Sequence, residues 1–267
     1  MQIIGFKWKG NGMHSWTPHL VMDSNGEVER LPISDKIDIK LGERFCTGYT
    51  INGRYSRCPN HAKISSGWRC EQCKKTDDFS FCIQCSGDCL NERQRELCKS
   101  SSYYIYLAAF DSTVKVGISH ERRFFERLIE QGADFAARIA FMQDGMVVRK
   151  AEQTIKRTLN CTDRMRGHEK NERLLGDPNA SVLQISKALA VLKDKFDINM
   201  LEVYDLRKFY GLEHVKKKPR MIRVRDGLRI AGDVVAAKGN IIVIKNGYFY
   251  SLNMHDIIGR EVEINLN

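Results

Sequence analysis

The sequence contains no long hydrophobic run. None of its 267 residues lies in an uninterrupted apolar stretch of the roughly 20 residues that a membrane-spanning helix needs, which excludes an integral helical membrane protein. The first residues, MQIIGFKWKG, do not form the long apolar region of a secretory signal peptide. Internal repeats and low-complexity tracts are also missing. From these absences we expect a cytoplasmic globular protein without a membrane partner.

Acidic residues are outnumbered by basic ones. The chain has 43 Lys and Arg against 33 Asp and Glu, which gives a formal net charge of +10. This balance favours a polyanionic partner, nucleic acid before an anionic membrane, although a protein that is merely basic is the alternative. A hydrophobic content of 42% allows a sizeable core, and the chain length indicates two or three domains.

Cysteine is concentrated in one part of the chain, because eight of the nine cysteines lie within residues 46–98. Without an export signal, this density favours metal binding over disulfides. The motifs CEQC (Cys70, Cys73) and CIQC (Cys82, Cys85) each place two thiolates on one tight turn. Together they would complete the four-sulfur shell that zinc prefers, so we expect one structural zinc site here. A redox dithiol is the alternative interpretation.

The remaining candidate ligands of this segment are Cys46, Cys58, His61, Cys89 and Cys98. Four of these five residues would suffice for a second zinc, or the two sites would interleave their ligands. We therefore expect one or two zinc ions. Their role would be structural, because the segment has few large apolar residues and a closed thiolate shell leaves no position for a reacting water.

The hydropathy pattern divides the chain into four segments and predicts an α+β fold. Alternating apolar residues predict β-strands near the N-terminus, and the IIVIKNGYFYSLN stretch predicts a tight hairpin near the C-terminus. Helical periodicity occurs between these β-rich parts. The expected segments are an N-terminal β segment (1–45), a zinc-binding domain (46–99), a core with helices (100–215) and a basic linker with a small β-barrel (216–267).

The stretch SVLQISKALAVLKDKF has the clearest helical period of the chain. Its apolar residues recur three and four positions apart, which predicts an amphipathic helix capped near Ser181. The stripe that we expect to be buried consists of Val182, Ile185, Leu189, Leu192 and Phe196.

A β-hairpin followed by helices opens the third segment. In YYIYLAAF, Tyr104 and Tyr106 share one strand face, and VKVGIS is the returning strand. Gly117 ends the returning strand where a side chain would obstruct a close approach. Arg127 lies on the next predicted helix, and Glu152 lies at the border of the buried stripe of a later one.

These residues resemble the motifs of the GIY-YIG nuclease superfamily. SYYIY stands at the position of its first motif and Lys115-Val116-Gly117 at its second, with Arg127 and Glu152 in the arginine and glutamate positions. The resemblance covers residues 103–161 and is strongest to a branch in which a cysteine-rich zinc segment precedes the core. It implies a small antiparallel sheet packed with helices.

The resemblance also implies an activity, a magnesium-dependent endonuclease that cleaves phosphodiester bonds of DNA or RNA. Glu152 would hold the magnesium ion, and Arg127 would stabilise charge on the phosphate. Lys115 would either lower the proton affinity of the catalytic tyrosine or neutralise developing charge. The tyrosine that delivers the nucleophile would be Tyr104, by the usual spacing, or Tyr106.

Three positions depart from the superfamily pattern. Lys115 replaces the tyrosine of the second motif, Gln131 stands where histidine or tyrosine is usual, and the late asparagine has only Asn160 and Asn171 as candidates. These departures keep a second function open, a non-cleaving nucleic-acid-binding or RNA-processing accessory protein on a degenerate nuclease fold.

A cluster of cations precedes the predicted C-terminal strands. Residues 216–225, which we call the basic run, hold six cations and no acid, and we expect them to contact nucleic-acid phosphates. A solvated linker is the alternative. Arg123 is a further expected phosphate contact, whereas Arg149 is expected to face solvent. The cations of the basic run are Lys216, Lys217, Lys218, Arg220, Arg223 and Arg225.

Overall fold

The computed structural model describes residues 1–161 and 167–265 and shows the α+β fold that the sequence predicted. The chain forms two compact units, one made of Met1–Ile83 with Gly211–Asn267 and the other of Gln84–Tyr210. No helix within the described residues is long and apolar enough to cross a membrane.

The first unit is built on a nine-stranded sheet with the strand order β11-β14-β13-β12-β4-β15-β1-β2-β3. Neighbouring strands within this sheet are antiparallel, except that β11 and β14 are parallel. A separate pair, β5 and β6, precedes the short helix α1. The elements are β1 (Gln2–Asn11), β2 (Ser15–Ser24), β3 (Glu27–Pro32), β4 (Lys36–Arg44), β5 (Tyr49–Ile51), β6 (Arg54–Ser56), α1 (Glu71–Thr76), β11 (Arg220–Met221), β12 (Arg229–Lys238), β13 (Ile241–Asn246), β14 (Tyr248–Asn253) and β15 (Arg260–Ile264).

This sheet joins the two β segments that the sequence predicted as separate. Ile39 in β4 lies opposite Ile230 in β12 on one side and opposite Ile264 in β15 on the other. The small C-terminal barrel expected over residues 216–267, whose last two residues lie outside the described part, is therefore not a unit of its own. Apolar alternation predicts the strands but does not specify which distant strand completes each ladder. The tight hairpin at Asn246-Gly247 is confirmed between β13 and β14.

The second unit contains a four-stranded antiparallel sheet with the order β10-β9-β7-β8. The hairpin β7–β8 is the one that the sequence predicted from YYIYLAAF and VKVGIS, and β8 is an edge strand. The elements are α2 (Arg95–Ser100), β7 (Ser102–Phe110), β8 (Thr113–His120), α3 (Phe124–Gln131), β9 (Phe135–Gln143), α4 (Gly145–Leu159), α5 (Gly167–Glu172), α6 (Pro178–Leu192) and β10 (Glu202–Asp205).

One apolar core holds this sheet to α4 and α6. Ile105 and Leu107 of β7 pack in one cluster with Val148 and Ile155 of α4 and with Ile185 of α6. All of these side chains are almost completely removed from water. The hairpin and α4 are thereby fixed relative to each other, which places their polar residues in defined positions.

The stripe predicted for helix α6 and the residues after it is buried except at Val182, because Ile185 and Leu192 are buried and Leu189 and Phe196 pack against the same core. The helix begins at Pro178, and Val182 is 44% exposed, whereas Ser181 is completely buried. The Ser181 hydroxyl donates to the carbonyl of Asp111 at 3.2 Å and contacts the carboxylate of Asp134 at 3.3 Å. These polar contacts set the rotation of the helix, and a count of apolar residues alone does not reveal them.

Candidate functional site

Tyr106 is the central residue of the candidate site in the second unit. It lies opposite Gly117 in the β7–β8 ladder and is completely buried. A Cβ atom on Gly117 would lie 2.6 Å from the Tyr106 hydroxyl and 2.7 Å from the ring carbon that carries it. The tyrosine ring therefore lies directly over the glycine of edge strand β8, and no larger residue fits at position 117 without moving the ring.

Three polar side chains converge on the Tyr106 hydroxyl. The Gln131 amide donates a hydrogen bond to it, Arg127 approaches it from the same helix α3, and Glu152 acts on it electrostatically from α4. Burial raises the pKa of Tyr106 to about 12, with Arg127 opposing the rise and Glu152 adding to it. At neutral pH the phenol is therefore protonated, and its hydroxyl can donate a hydrogen bond as well as accept the one from Gln131.

Gln131 has a further property that its sequence position does not reveal. Its side-chain nitrogen donates to Tyr106, while its side-chain oxygen is buried and has no hydrogen-bond partner in the described residues. A buried acceptor of this kind costs free energy unless another donor satisfies it. The Gln131 oxygen is therefore a hydrogen-bond acceptor without a donor among the described residues, and it belongs to the amide that contacts the tyrosine hydroxyl.

Glu152 is held in the site by its own helix. It is only 6% exposed and shares the buried face of α4 with Val148 and Ile155. Arg149, one helical turn earlier, donates to its Oε2 atom at 2.8 Å. The expectation that Arg149 faces solvent is wrong, because its side chain is 26% exposed and partners this carboxylate. The i,i+3 spacing of the two charges is the sequence signal that identifies the pair.

Tyr104 has different surroundings from Tyr106. The Arg138 guanidinium lies 4.5 Å from the centre of its ring, and the rings of Phe124 and Phe141 pack against it. Arg138 in turn binds Glu202 of β10. Tyr104 thus belongs to an aromatic and cationic cluster on β9 and β10. The structure brings Tyr106, and not Tyr104, to Arg127 and Glu152, although the usual spacing favoured Tyr104.

The other residues singled out in the hairpin and α3 occupy less central positions. Lys115 is half-buried and lies opposite Ala108, two residues before Gly117. Arg123 binds Glu126 at 2.7 Å and Glu130 at 3.3 Å, so acidic neighbours on α3 match its charge.

The two candidate asparagines also differ from each other. Asn160 ends α4 in the left-handed conformation, which is a common helix-terminating role. Asn171 in α5 is 8% exposed, and its Oδ1 atom has no hydrogen-bond partner among the described residues. Of the two asparagines, Asn171 is therefore the one with a buried amide oxygen that lacks a hydrogen bond among the described residues.

A four-cysteine cluster lies in the first unit. The sulfur atoms of Cys46, Cys58, Cys70 and Cys73 all lie within 4.8 Å of one another. Cys46 follows β4, Cys58 follows β6, and the other two lie at the start of α1. The Cys70 backbone amide donates to the Cys46 sulfur at 3.2 Å, which supports a thiolate at that position.

The geometry of the cluster is compatible with a structural zinc ion. A tetrahedral site with Zn–S bonds of about 2.3 Å separates its sulfurs by about 3.8 Å, and the Cys58 and Cys70 sulfurs are 3.9 Å apart. Burial raises the pKa of the Cys46 and Cys73 thiols. A bound cation offsets this penalty, because coordination stabilises the thiolate form.

The ligand set differs from the first one that the sequence predicted. Cys70 and Cys73 lie with Cys46 and Cys58, so the expected pairing with Cys82 and Cys85 is wrong. Cys46 and Cys58, which follow separate strands, complete the site, and their approach depends on how the chain folds back. The spacing of the CEQC and CIQC motifs does not show that Cys46 and Cys58 are brought close to Cys70 and Cys73.

The other predicted ligands make different contacts. The Cys85 thiol donates to the carbonyl of Asp88 at 3.4 Å, and the Cys89 thiol donates to that of Asn91 at 3.3 Å. Cys98 accepts from the Tyr103 hydroxyl at 3.8 Å. The ring of His61 stacks on Phe45, with 4.1 Å between the ring centres.

The six cations of the basic run are all exposed. The run includes edge strand β11 of the nine-stranded sheet, so its side chains are displayed along one border of the first unit.

The fold and these sites define an α+β protein with a four-cysteine metal-compatible centre in one unit. In the other unit, a buried tyrosine and a buried glutamate lie with Arg127, whose side chain is 49% exposed. A family model described as "Protein of unknown function (DUF2797)" matches residues 35–262. The match covers most of the chain, and the protein belongs to this family. No curated protein and no solved structure matches the chain significantly.

Proposed function

We propose that the protein is a metal-dependent endonuclease that cleaves phosphodiester bonds of DNA or RNA on a GIY-YIG-like core formed by the second unit. The observation that carries the proposal is the convergence of Arg127, Glu152 and Gln131 on the buried hydroxyl of Tyr106. Arg127 and Glu152 come from different helices, and packing of the hairpin fixes the tyrosine between them.

The order of the elements supports the same interpretation. Tyr106 lies on the first strand of a hairpin, Gly117 on the paired strand, Arg127 on the following helix and Glu152 on the helix after the third strand. This is the order that the resemblance to the nuclease superfamily implies. The close approach of Tyr106 to Gly117 gives a physical reason for a glycine in the second motif.

The metal would be bound at Glu152. A single buried carboxylate fits magnesium, which takes oxygen ligands and completes its shell with water and substrate phosphates. When bound, the ion would polarise the phosphate and stabilise the departing alkoxide. The contact with Arg149 occupies Oε2 and fixes the direction of the carboxylate.

The protein side chains would handle the remaining charge. Arg127 would bind the non-bridging oxygens of the phosphate, whose negative charge grows during attack by water. The neutral Tyr106 hydroxyl would donate a hydrogen bond at the same centre, and the open Gln131 oxygen would accept one from the attacking water. Lys115 would neutralise charge that develops on the leaving group.

The metal content of the first unit is also part of the proposal. We propose that Cys46, Cys58, Cys70 and Cys73 hold a structural zinc ion, which would stabilise a segment with few large apolar residues. A second zinc that uses further cysteines of the segment, such as Cys89, remains a separate proposal, and the measured zinc content tests it.

A non-cleaving nucleic-acid-binding function is the second candidate. It is favoured by Lys115 at the position of the second tyrosine and by the raised pKa of Tyr106, which keeps the phenol from acting as a base at neutral pH. In this case the same cluster would hold a phosphate without activating water.

The test is a cleavage assay with full-length protein, magnesium and labelled single- and double-stranded DNA and RNA. We expect Glu152→Gln and Arg127→Gln each to slow cleavage about 100-fold or more, because each removes charge stabilisation from the reacting phosphate. Glu121→Gln, an exposed carboxylate of the same unit, is the matched control and should cleave like the wild type.

Two results would contradict the nuclease proposal. Binding without cleavage by the wild type would leave the second candidate. Equal cleavage by the wild type and Glu152→Gln would show that the activity does not come from this site.

A further inference from the structure

The cations of the basic run have no acidic partners in the part of the chain that the structure describes. All six side chains are exposed, and none forms an ion pair within the described residues. Other arginines of the same sheet are paired, as Arg229 is with Asp38 at 2.6 Å and Arg260 is with Asp226 at 2.5 Å. The positive charge of the basic run is therefore available to an external anion.

An exposed aromatic ring lies beside these cations. Tyr248 is 65% exposed at the start of β14, directly after the turn at Gly247. The Arg220 guanidinium lies 5.3 Å from the centre of its ring. In the parallel pairing of β11 with β14, Arg220 lies opposite Tyr250, so the cation and both tyrosines lie on one side of the ladder.

We propose that the basic run and Tyr248 form a binding surface for single-stranded nucleic acid, with the cations on the phosphates and the tyrosine stacked on an unpaired base. A large ring exposed to this extent buries little of its surface, so it contributes little to the core. Arg220 keeps one side of the ring fixed by a cation–π contact, and the exposed surface of the ring is open to a flat partner.

The combination of charge and ring selects the class of ligand. A duplex covers the faces of its bases, so it would use the cations but gain little from Tyr248. An anionic membrane would likewise attract the cations without stacking on the ring. A strand with unpaired bases engages both features, because successive bases stack on aromatic rings while the backbone follows a basic groove.

This inference goes beyond the proposed function, because it concerns binding by the first unit and does not require cleavage. The test therefore uses full-length protein with Glu152→Gln as the background and no added magnesium. Binding of fluorescent oligothymidine and oligouridine of about 20 nucleotides is followed by anisotropy, beside a duplex hairpin. Failure of the nuclease proposal would leave this measurement unaffected.

The expected results distinguish the contribution of the Tyr248 ring to binding from that of the positive charge. Tyr248→Ala should weaken single-strand binding about 5- to 100-fold and leave duplex binding unchanged, while Tyr248→Phe should retain affinity. Replacing Lys216, Lys217 and Lys218 by Gln should weaken binding to both and reduce the single-strand salt slope by about 2. Val28→Ala, which shortens a side chain that is 45% exposed on the opposite edge strand β3, is the control for surface substitution.

Three outcomes would overturn the proposal. Unchanged single-strand affinity of Tyr248→Ala would exclude stacking, and an equal loss for single strand and duplex would exclude selectivity. Binding of phosphatidylserine vesicles in preference to either oligonucleotide would assign the surface to a membrane. Thermal unfolding and circular dichroism of each variant would show that the fold is retained.

Discussion

The ring of Tyr106 lies so close to Gly117 that a methyl group on the glycine would come within 2.6 Å of the tyrosine hydroxyl. The conflict involves a buried ring and not the flexible end of a surface side chain. The identity of residue 117 therefore controls the position of the hydroxyl that Arg127 and Gln131 contact.

We expect Gly117→Ala to lower the free energy of unfolding by about 1 to 3 kcal/mol, because the buried ring must move to admit the methyl group. Chemical denaturation of full-length protein measures the change. Gly5→Ala in strand β1 is the matched control. A Cβ atom on Gly5 would lie 3.5 Å from Val21 of β2, which is an ordinary contact distance. Equal stability of Gly117→Ala and the wild type would show that the ring has room that the structure does not indicate.

The four-cysteine cluster predicts which substitutions release metal. Cys46→Ser and Cys73→Ser should each remove one zinc ion per chain and lower the thermal stability by several degrees, because metal binding and folding are coupled. Elemental analysis of protein purified under reducing conditions measures the zinc. Cys161→Ser, in the core of the second unit, should retain the full zinc content.

A third variant tests the ligand pairing. Cys82→Ser should keep at least one zinc ion, because Cys82 is outside the group formed by Cys46, Cys58, Cys70 and Cys73. Loss of all zinc from Cys82→Ser, with zinc retained in Cys46→Ser, would restore the pairing of the CEQC and CIQC motifs.

The buried tyrosine predicts a loss of stability at high pH. The pKa of Tyr106 is raised from 10.0 to about 12 in the folded protein, chiefly by burial. Its contribution to stability is fully present below pH 10, and it is lost as the pH rises towards 12, because the unfolded chain ionises first. The loss amounts to roughly 2 to 3 kcal/mol for this one group.

We expect Tyr106→Phe to be less stable than the wild type at pH 7, because the Gln131 amide loses its acceptor. The variant should then lose less stability than the wild type between pH 10 and pH 12 (the range set by the two pKa values of Tyr106). Urea unfolding at a series of pH values measures both effects. Tyr248→Phe, at an exposed ring, should follow the wild-type curve. Parallel curves for Tyr106→Phe and the wild type would contradict the raised pKa.

Helix α6 offers a paired test of its rotation. Ile185 is 3% exposed and Val182 is 44% exposed on the same helix. Ile185→Ala should lower the free energy of unfolding by about 2 to 4 kcal/mol, because it removes buried methyl groups and leaves a cavity. Val182→Ala should change it by less than about 0.5 kcal/mol. A similarly large loss for Val182→Ala would instead support burial of Val182, as the sequence predicted.

Local features of this protein are readable from its sequence. Alternation in YYIYLAAF and VKVGIS predicts the β7–β8 hairpin, and the Asn246-Gly247 turn predicts the β13–β14 hairpin. The CEQC motif supplies Cys70 and Cys73, two of the four cysteines of the metal-compatible cluster. These features depend on residues close together in the chain, whose geometry is set by local backbone and side-chain preferences.

Features that depend on distant residues are not readable in this way. Cys46 and Cys58 join Cys70 and Cys73 because strands fold back on each other. The choice of Tyr106 over Tyr104 depends on which neighbours α3 and β9 supply to two tyrosines on the same strand face. The alternating pattern places both tyrosines on the same strand face, but it does not show which of them contacts Arg127 and Glu152.

The nine-stranded sheet has a consequence for the nascent chain. Strand β4 is paired on both sides by strands made much later, and its Asp38 binds Arg229, 191 residues further along the chain. At typical translation rates this separation corresponds to roughly 10 to 40 seconds. During that time the second unit, which is one continuous segment, can fold, while both hydrogen-bonding edges of β4 await their partners. The synthesis of this protein therefore has a period in which a strand with one apolar face and two open edges must be kept from pairing with other chains.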